Sequence, residues 1–266
     1  MSFATAELGN DPAAEVSPEE LMTVAASRLL ADNRVVFAGV GAPLVASALA
    51  RRRQAPNLTI VLEGGIIGTQ LRPGHLPVST NEMRAAYGAT MFADITDIFL
   101  YAQRGYFDYG FLGAAQVDLY GNINTSFIGN PASPKVRLPG TGGANDIISL
   151  CNEIFIVTAH EKRRFVEKVD FITSPGYLSG GSTRRDAGLP FGRLKNVVTD
   201  LALFDFEPES HKMRLRGLQP GVSIEAVREA TGFELLMADE LDELEAPSAQ
   251  ELQLLRELRG LTPALD

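Results

Sequence analysis

The sequence has one cysteine, Cys151, among its 266 residues, so no disulfide can form within the chain. Unpaired cysteine is typical of proteins in reducing compartments. No apolar run approaches the ~18 residues that suggest a membrane-spanning helix, and residues 1–15 lack the basic and apolar regions of a signal peptide. The sequence therefore predicts a soluble cytoplasmic protein that does not interact with membranes.

Basic residues and histidines are also scarce. The chain carries 24 Lys and Arg against 33 Asp and Glu, a net charge of −9, which argues against a nucleic-acid partner. The three histidines, His75, His160 and His211, are far apart and show no metal-ligand spacing with Cys151 or with carboxylates. We therefore expect neither nucleic acid nor a metal ion to bind.

Several familiar site motifs are absent or incomplete. Gly39-Val40-Gly41 resembles the start of a dinucleotide fingerprint, but Leu44 occupies the position of its third glycine, which favours a tight strand-to-helix turn. No phosphate-binding Gly-Lys-Ser/Thr and no Gly-x-Ser-x-Gly elbow is present. Cys151 precedes an apolar strand, which favours a small buried hydrophobe over a nucleophile.

The periodicity predicts an α/β fold, a mostly parallel sheet flanked by helices, in a single domain over residues 17–266 that follows a flexible tail, residues 1–16. Ser17-Pro18-Glu19-Glu20 combines an N-cap serine, a first-turn proline and a capping-box glutamate. Strands at 35–38 and 59–62 enclose a helix, and such crossovers join parallel strands. Further along, we expect a long loop (66–90), strand or short-helix segments (94–100, 106–112), strands (154–157, two within 197–206, 211–218), and helices (223–231, 249–258).

A charged residue ends the second predicted strand. Residues 59–62 are apolar or β-branched, and Glu63 follows at once, before Gly64 and Gly65. Ligands of α/β sheets gather at the carboxyl ends of the strands, and Glu is rarely buried without a partner. The carboxylate is therefore either a structural exception or a functional group.

A second glycine cluster, Gly140-Thr-Gly-Gly-Ala-Asn145, is a candidate anion site. Clustered glycines allow backbone amides to converge on an anion or an oxyanion, although a plain surface turn explains the cluster equally well. The basic residues of segment 160–164, and Arg184 and Arg185, could bind phosphate groups, but a solvated charged loop is the commoner explanation.

Co-linear motifs along the chain resemble those of a known family. They are residues 35–43 (VVFAGVGAP), 61–65 (VLEGG), 113–124 (GAAQVDLYGNIN), 140–145 (GTGGAN), 160–165 (HEKRRF) and 173–176 (TSPG). In this order they resemble the β subunit of a class I coenzyme A transferase, most closely the glutaconate CoA-transferase type. The resemblance covers nearly everything after residue 17, and it implies the NagB/RpiA/CoA-transferase-like fold.

The resemblance also implies roles for individual residues. Glu63 occupies the position of the family's nucleophilic glutamate, and Gly64 and Gly65 allow the substrate to approach it. Residues 140–145 correspond to the glycine-rich loop of the acyl-CoA site. The oxyanion and CoA-binding residues are then Gly142, Gly143, Ala144, Asn145 and Gln116.

The implied reaction is a ping-pong transfer of CoA from an acyl-CoA to a carboxylic acid, through a glutamyl-CoA thioester on Glu63. Coenzyme A is then a substrate, with no tightly bound cofactor, and a separate α subunit completes the active site. Relatives that are ring-cleaving acyl-CoA hydrolases or decarboxylases lack this glutamate, yet a hydrolase or decarboxylase subunit stays open as the alternative, as does a non-enzymatic CoA-binding subunit. Within the long loop, Arg72, Arg84 and Tyr87 are candidates for contacting the acyl group.

Overall fold

A computed structural model describes residues 16–261. Its helices are α1 (Pro18–Arg28), α2 (Ala42–Arg52), α3 (Ile95–Gln103), α4 (Ala144–Leu150), α5 (Thr183–Asp186), α6 (Ile224–Glu229) and α7 (Ala249–Leu258), with a 3₁₀ turn at Met83–Ala86. Its strands are β1 (Val35–Ala38), β2 (Thr59–Leu62), β3 (Ile66–Ile67), β4 (Met91–Phe92), β5 (Tyr109–Gly113), β6 (Gln116–Val117), β7 (Ile123–Asn124), β8 (Phe127–Asn130), β9 (Ser133–Arg137), β10 (Glu153–Val157), β11 (Arg193–Val198), β12 (Ala202–Phe206), β13 (Met213–Leu218) and β14 (Leu236–Glu243).

Ten of these strands form one sheet in the order β14-β13-β12-β11-β10-β5-β1-β2-β3-β4. The central run from β11 to β2 is parallel throughout, with Val36 of β1 opposite Ile60 of β2 on one side and Tyr109 of β5 on the other. Antiparallel pairs flank this run: β12 pairs with β11 and β13 at one end, and β3 pairs with β2 and β4 at the other. The predicted α/β fold with a mostly parallel sheet is confirmed.

The central strands are buried on both faces, as parallel strands usually are. Alternate side chains of β2 point to opposite sides: Ile60 and Leu62 pack with α1, α2 and α7, whereas Val61 packs with α3 and α4. Phe37 of β1 also lies on the second side and is fully buried. Burying one such side chain contributes roughly 1.5–3 kcal/mol, so both layers hold β2, and hence its end, in place.

The elements predicted for the amino-terminal part of the chain agree with the structure. Ser17 caps α1 in a capping box with Glu20: the Glu20 amide donates to the Ser17 side chain, and the Ser17 amide donates to the Glu20 carboxylate. The predicted strands at 35–38 and 59–62 have the observed bounds of β1 and β2, and α2 connects them. The predicted tail lies largely outside the described residues, and the single domain stays a prediction.

Two segments contain strands that the sequence did not predict. The predicted loop 66–90 begins with β3, which pairs with both β2 and β4 and so extends the sheet. The acidic segment after Ala238 belongs to β14, an edge strand parallel to β13. Neither strand has a clear sequence signal, because β3 is two residues long and is fixed by its turn, while β14 carries the charges that protect a sheet edge.

No helix within residues 16–261 combines the length and the apolar character that crossing a membrane requires.

Candidate active site around Glu63

Glu63 lies at the turn that joins β2 to β3. The turn comprises Glu63, Gly64 and Gly65; Leu62 and Ile66 pair directly across it, and the Gly65 amide donates to the Leu62 carbonyl at 3.1 Å. The preceding strand is buried, and Glu63 itself is half-buried. A packed strand followed by a tight turn therefore fixes the backbone of this carboxylate at the carboxyl edge of the parallel strands.

The two glycines after Glu63 are in contact with the chain itself. A Cβ at Gly65, whose φ is +94°, would overlap the carbonyl oxygen of Ala93, and a Cβ at Gly64 would overlap Asn81 Oδ1. Their lack of side chains lets the β2–β3 turn pack against two neighbouring segments. The approach of substrate to Gly64 and Gly65 stays a prediction.

The glycine-rich loop reaches the Glu63 carboxylate. An ideal Cβ on Gly143 would lie 2.8 Å from Glu63 Oε2 and 2.9 Å from Phe99 Cζ, closer than real Cβ atoms come to such neighbours. The φ of Gly143 is −81°, which any residue adopts, so a side chain here is disfavoured by crowding against Glu63 and Phe99 and not by the backbone conformation. The carboxylate and the loop, 80 positions apart in the sequence, thus meet at one point.

The backbone amides of this loop are not equally available. The Ala144 amide donates to the Thr141 carbonyl at 2.9 Å, and the Asn145 amide donates to Thr141 Oγ1 at 3.2 Å. Within residues 16–261, the amides of Gly142 and Gly143 have no such hydrogen-bond acceptor. Of the candidate oxyanion donors, these two are therefore the ones free to bind an incoming atom.

Polar contacts anchor the loop at both ends. Gly140 exchanges two hydrogen bonds with Thr125: its amide donates to the Thr125 carbonyl at 2.8 Å, and its carbonyl accepts from Thr125 Oγ1 at 2.7 Å. The Asn145 side chain donates to the Thr173 carbonyl at 3.0 Å. Asn145 thus connects the loop to the predicted 173–176 motif.

Gln116 lies in β6 and is 5% exposed. Its Oε1 accepts from Asn124 Nδ2 at 2.7 Å and from the Asp170 amide at 3.2 Å, while its Nε2 donates to Asp170 Oδ2 at 3.3 Å. No hydrogen bond links it to Glu63 in the described part of the chain. These contacts stabilise the β6–β7 region, and a direct role in binding CoA stays a prediction.

A groove lies beside this site. It has a volume of about 370 Å³ and is lined by Ile95, Thr96, Phe99, Leu100, Gln103, Asp146 and Leu150. Phe99 borders both the groove and the space around Gly143. The groove between α3 and α4 therefore adjoins the Glu63 carboxylate.

Other predicted or potential site residues are buried in the fold. Cys151 is fully buried, and burial raises its pKa, so the thiol stays protonated. His160 stacks on Phe165 with ring centroids 4.0 Å apart, and burial lowers its pKa to about 4. Across residues 16–261, no group of three or more His, Cys, Asp or Glu side chains is placed to hold a metal ion.

Arg184 contradicts the expectation of a solvated cation. It is 5% exposed, and its guanidinium donates to backbone carbonyls on several segments. Its neighbour Arg185 is exposed, as predicted. No local pattern separates the two arginines, since only the tertiary contacts of α5 decide which side chain points inward.

Known proteins resemble this chain over most of its length. Residues 19–230 match the family described as coenzyme A transferase. The chain belongs to the coenzyme A transferase family. The β subunit of 3-oxoadipate CoA-transferase from Pseudomonas knackmussii is 42% identical over 249 residues, which cover 93% of this chain and 95% of that protein.

Two further comparisons agree with the assignment to the coenzyme A transferase family. The β subunit of glutaconate CoA-transferase from Acidaminococcus fermentans is 35% identical over 246 residues, 90% of this chain and 91% of that protein. The crystal structure of glutaconate coenzyme A-transferase from the same organism matches with a TM-score of 0.84 at 32% identity, over 91% of this chain and 94% of that one. The family resemblance, the fold class and the prediction of a CoA-transferase are confirmed.

Proposed function

We propose that this chain is the catalytic β subunit of a heteromeric CoA-transferase and that Glu63 carries CoA as a glutamyl thioester. The observation that supports this most is the contact between the Glu63 carboxylate and Gly143, beside amides that have no acceptor in the described structure. Within residues 16–261, no hydrogen bond or ion pair engages this carboxylate, so it can attack a substrate without first breaking one. Family membership supplies the reaction class.

The first half-reaction forms and breaks bonds at two carbonyl carbons. A Glu63 oxygen attacks the thioester carbon of the acyl-CoA, the carbon–sulfur bond breaks, and CoA leaves as a thiolate. The thiolate then attacks the Glu63 carbonyl carbon of the resulting anhydride and releases the donor acid. A second carboxylate reverses these steps, so the enzyme ends with free Glu63 and a new acyl-CoA; such covalent catalysis divides one difficult transfer into easier ones.

Each attack places a negative charge on a carbonyl oxygen. We assign the stabilisation of this oxyanion to the amides of Gly142 and Gly143, because Gly143 lies against the carboxylate, Gly142 directly precedes it in the loop, and Ala144 and Asn145 use their amides within the loop. Loss of one such donor typically costs about 10²–10³ in rate.

A separate α subunit is part of this proposal. By their names, the two relatives described above are each one subunit of a CoA-transferase, and the chain exposes large apolar side chains next to the Glu63 turn. We call this set the β4 surface; its members are Met83, Tyr87, Met91, Phe92 and Ile95. Contiguous apolar patches on a protein surface mark interaction sites, so we place the α subunit against the β4 surface.

The substrates are an acyl-CoA and a free carboxylic acid. By their names, the two relatives act on 3-oxoadipate and glutaconate, which are both short dicarboxylates. Thioesters and free acids of short dicarboxylates are therefore the first substrates to assay with the assembled pair.

Steady-state kinetics of Glu63 variants test the proposal. Both Glu63→Gln and Glu63→Asp are expected to abolish transfer, because one removes the nucleophilic oxygen and the other withdraws it by a methylene. Glu209→Gln, an exposed carboxylate change on the β12–β13 connection, serves as the control. CoA release that does not depend on an acceptor acid would instead identify a hydrolase, and transfer retained by Glu63→Gln would refute the proposed mechanism.

A further inference from the structure

Arg184 in α5 makes an unusually complete set of hydrogen bonds. Nε donates to the Phe191 carbonyl at 3.0 Å, and Nη2 donates to Phe191 at 2.8 Å and to Ile148 at 2.7 Å. Nη1 donates to the carbonyls of Pro175 and Gly176. These are five contacts for the five N–H donors of a guanidinium, so none is left for a substrate.

The charge of this side chain is buried without an acidic partner in the described structure. Burial lowers the pKa of Arg184 to about 10, which still leaves it protonated at neutral pH. Gly192 makes room for it, since a Cβ there would overlap both Arg184 Nη2 and the Ile148 carbonyl. A lysine has only three donors in a different geometry, so the arrangement is specific for arginine.

One of these bonds caps the helix that begins at the active site. The Ile148 carbonyl belongs to the last four residues of α4, whose carbonyls lack partners within the helix. A cation at a helix C-terminus also interacts favourably with the helix dipole. Because α4 has seven residues, and helices that short are marginal in isolation, its position depends on contacts at its ends as well as on the burial of Ile147 and Ile148.

Both ends of α4 are attached to the same segment of chain. At the first turn, Asn145 Nδ2 donates to the Thr173 carbonyl at 3.0 Å. At the last turn, Arg184 joins Ile148 to the carbonyls of Pro175 and Gly176. The segment 173–176 therefore holds α4 at two points, and the residue before α4 is Gly143, against the Glu63 carboxylate.

We propose that Arg184 is a positioning residue for the transfer reaction. By joining the end of α4 to segment 173–176, it fixes the positions of the Gly142 and Gly143 amides relative to the Glu63 carboxylate. The inference rests on the proposed function, in which these amides stabilise the oxyanion. Arg184 itself touches neither Glu63 nor Gly143, so it acts on the reaction through α4.

The test compares Arg184→Met, Arg184→Lys and Arg184→Ala in the assembled enzyme. We expect kcat to fall about 10- to 100-fold, as for small misplacements of reacting groups, with KM for acyl-CoA largely unchanged. Arg184→Lys should retain intermediate activity, and guanidinium or methylguanidinium ion should restore part of the kcat of Arg184→Ala. Arg185→Met, the exposed neighbouring change, should behave as wild type.

Hydrogen exchange supplies a readout that does not depend on turnover. In the Arg184 variants, the amides of residues 144–150 should exchange faster, while those of α2 keep the wild-type rate. If Arg184→Met does not fold, the same comparison uses Arg184→Lys. If the Arg184 variants keep the wild-type kcat, or lose kcat while the exchange rates of the α4 amides stay unchanged, the positioning role of Arg184 is wrong. If Glu63→Gln retains transfer activity, the proposed function is wrong, but the effect of Arg184 on amide exchange in α4 is still a valid result.

Discussion

Gly143 is the residue that most restricts the space available to the Glu63 carboxylate. The carboxylate occupies the space where any other side chain at position 143 would begin, with Phe99 on the other side of that space. The backbone of Gly143 has an ordinary conformation. A methyl group at this position is therefore a steric probe of the carboxylate rather than of the fold.

Replacing Gly143 with alanine should displace Glu63 and leave the fold intact. The two groups in the way, Glu63 Oε2 and Phe99 Cζ, are the ends of side chains and can move. We expect kcat to fall about 10²-fold, as for an approximately 1 Å misplacement, with little change in Tm. Activity assays and thermal denaturation of the same preparation check both.

A comparable substitution far from the site controls for the change from glycine to alanine. Gly217 lies in β13, six strands from β2, where a Cβ would meet Leu244 Cδ2 at 3.2 Å. Gly217→Ala should keep wild-type kcat. Wild-type turnover in Gly143→Ala would mean that the observed contact with Glu63 has no part in the reaction.

His160 should make stability depend on pH. Its ring contacts Thr199 Oγ1 at 3.2 Å and Thr231 Oγ1 at 3.0 Å, and burial lowers its pKa from 6.5 to about 4. Between these values the unfolded chain binds the proton and the folded protein does not, so acid favours unfolding. The free energy of unfolding should fall by about 3 kcal/mol as the pH drops from 6.5 to 4.

Urea denaturation at pH 7.5, 6 and 5 measures this effect. A His160→Gln variant cannot take up the proton, so its stability should change less with pH than that of the wild type. His75→Gln, at an exposed histidine, should keep the wild-type dependence. If the free energy of unfolding changed with pH equally in His160→Gln and in the wild type, His160 would not be a buried neutral imidazole.

Among the structural elements, α7 is fixed to α1 and α2 through one carboxylate. The Glu251 side chain is fully buried and pairs with Arg28, with 2.8 Å between Glu251 Oε2 and Arg28 Nη2, and with Arg53. It also accepts from the Ser248 amide as part of the capping box of α7. One side chain therefore connects three helices on one face of the sheet.

Glu251→Gln should destabilise the protein by about 1.5–3 kcal/mol, because it removes the charge that strengthens the hydrogen bonds to Arg28 and Arg53, whose side chains are partly exposed. Its pKa is lowered from 4.5 to about 2 despite the opposing effect of burial, chiefly by the hydrogen bond from Arg28. The stability it contributes is thus present above pH 4.5 and is lost as the pH falls towards 2.

Denaturant unfolding at neutral pH checks the size of this effect. Glu245→Gln is the matched control, because Glu245 is exposed and Arg28 binds its backbone carbonyl rather than its side chain. That change should cost less than about 0.5 kcal/mol. Equal stability of the two variants would show that the buried pairs do not stabilise the junction of the three helices.

The elements that the sequence predicted well are those with strong local signals. Ser17 and Glu20 specify the start of α1, and the apolar run 59–62 specifies β2 with its observed bounds. The segment 94–100, ambiguous between strand and helix, is the first part of α3, which Asp94 caps. Strands such as β3 depend on pairing with neighbours and have no comparable local signal.

The candidate site was predictable in part. Glycine and charge patterns indicated Glu63 and the loop 140–145 as candidates, and the family resemblance related them to one reaction. Their contact arises from tertiary packing, as does the use of the Ala144 and Asn145 amides within the loop. Burial of Arg184 was missed, because the carbonyls that satisfy it come from segments up to 36 positions away.

At the scale of the whole molecule, the β4 surface is the feature that points to a partner. Met83 is 80% exposed and Phe92 is 64% exposed, and β4 is an edge strand of the ten-stranded sheet. The Glu63 turn packs directly against this region through Gly65 and Ala93. A partner that docks here would lie next to the Glu63 carboxylate.

Phe92→Asp should weaken assembly with the proposed α subunit, because it places a charge within the proposed apolar contact. A loss of about 2 kcal/mol or more is expected if Phe92 is central to the interface, and sedimentation of the co-expressed pair measures it. Leu261→Asp, an exposed apolar residue after α7, is the control. Unaltered assembly of Phe92→Asp would place the partner on another surface.

The central claim, that Glu63 carries CoA, is tested most directly by trapping the intermediate. The assembled enzyme is mixed with an acyl-CoA substrate and then with hydroxylamine or borohydride, and the peptide containing Glu63 is analysed by mass spectrometry. The proposed mechanism predicts a hydroxamate or an alcohol on Glu63 that forms only with acyl-CoA. An active enzyme in which the Glu63 peptide stays unmodified would contradict it.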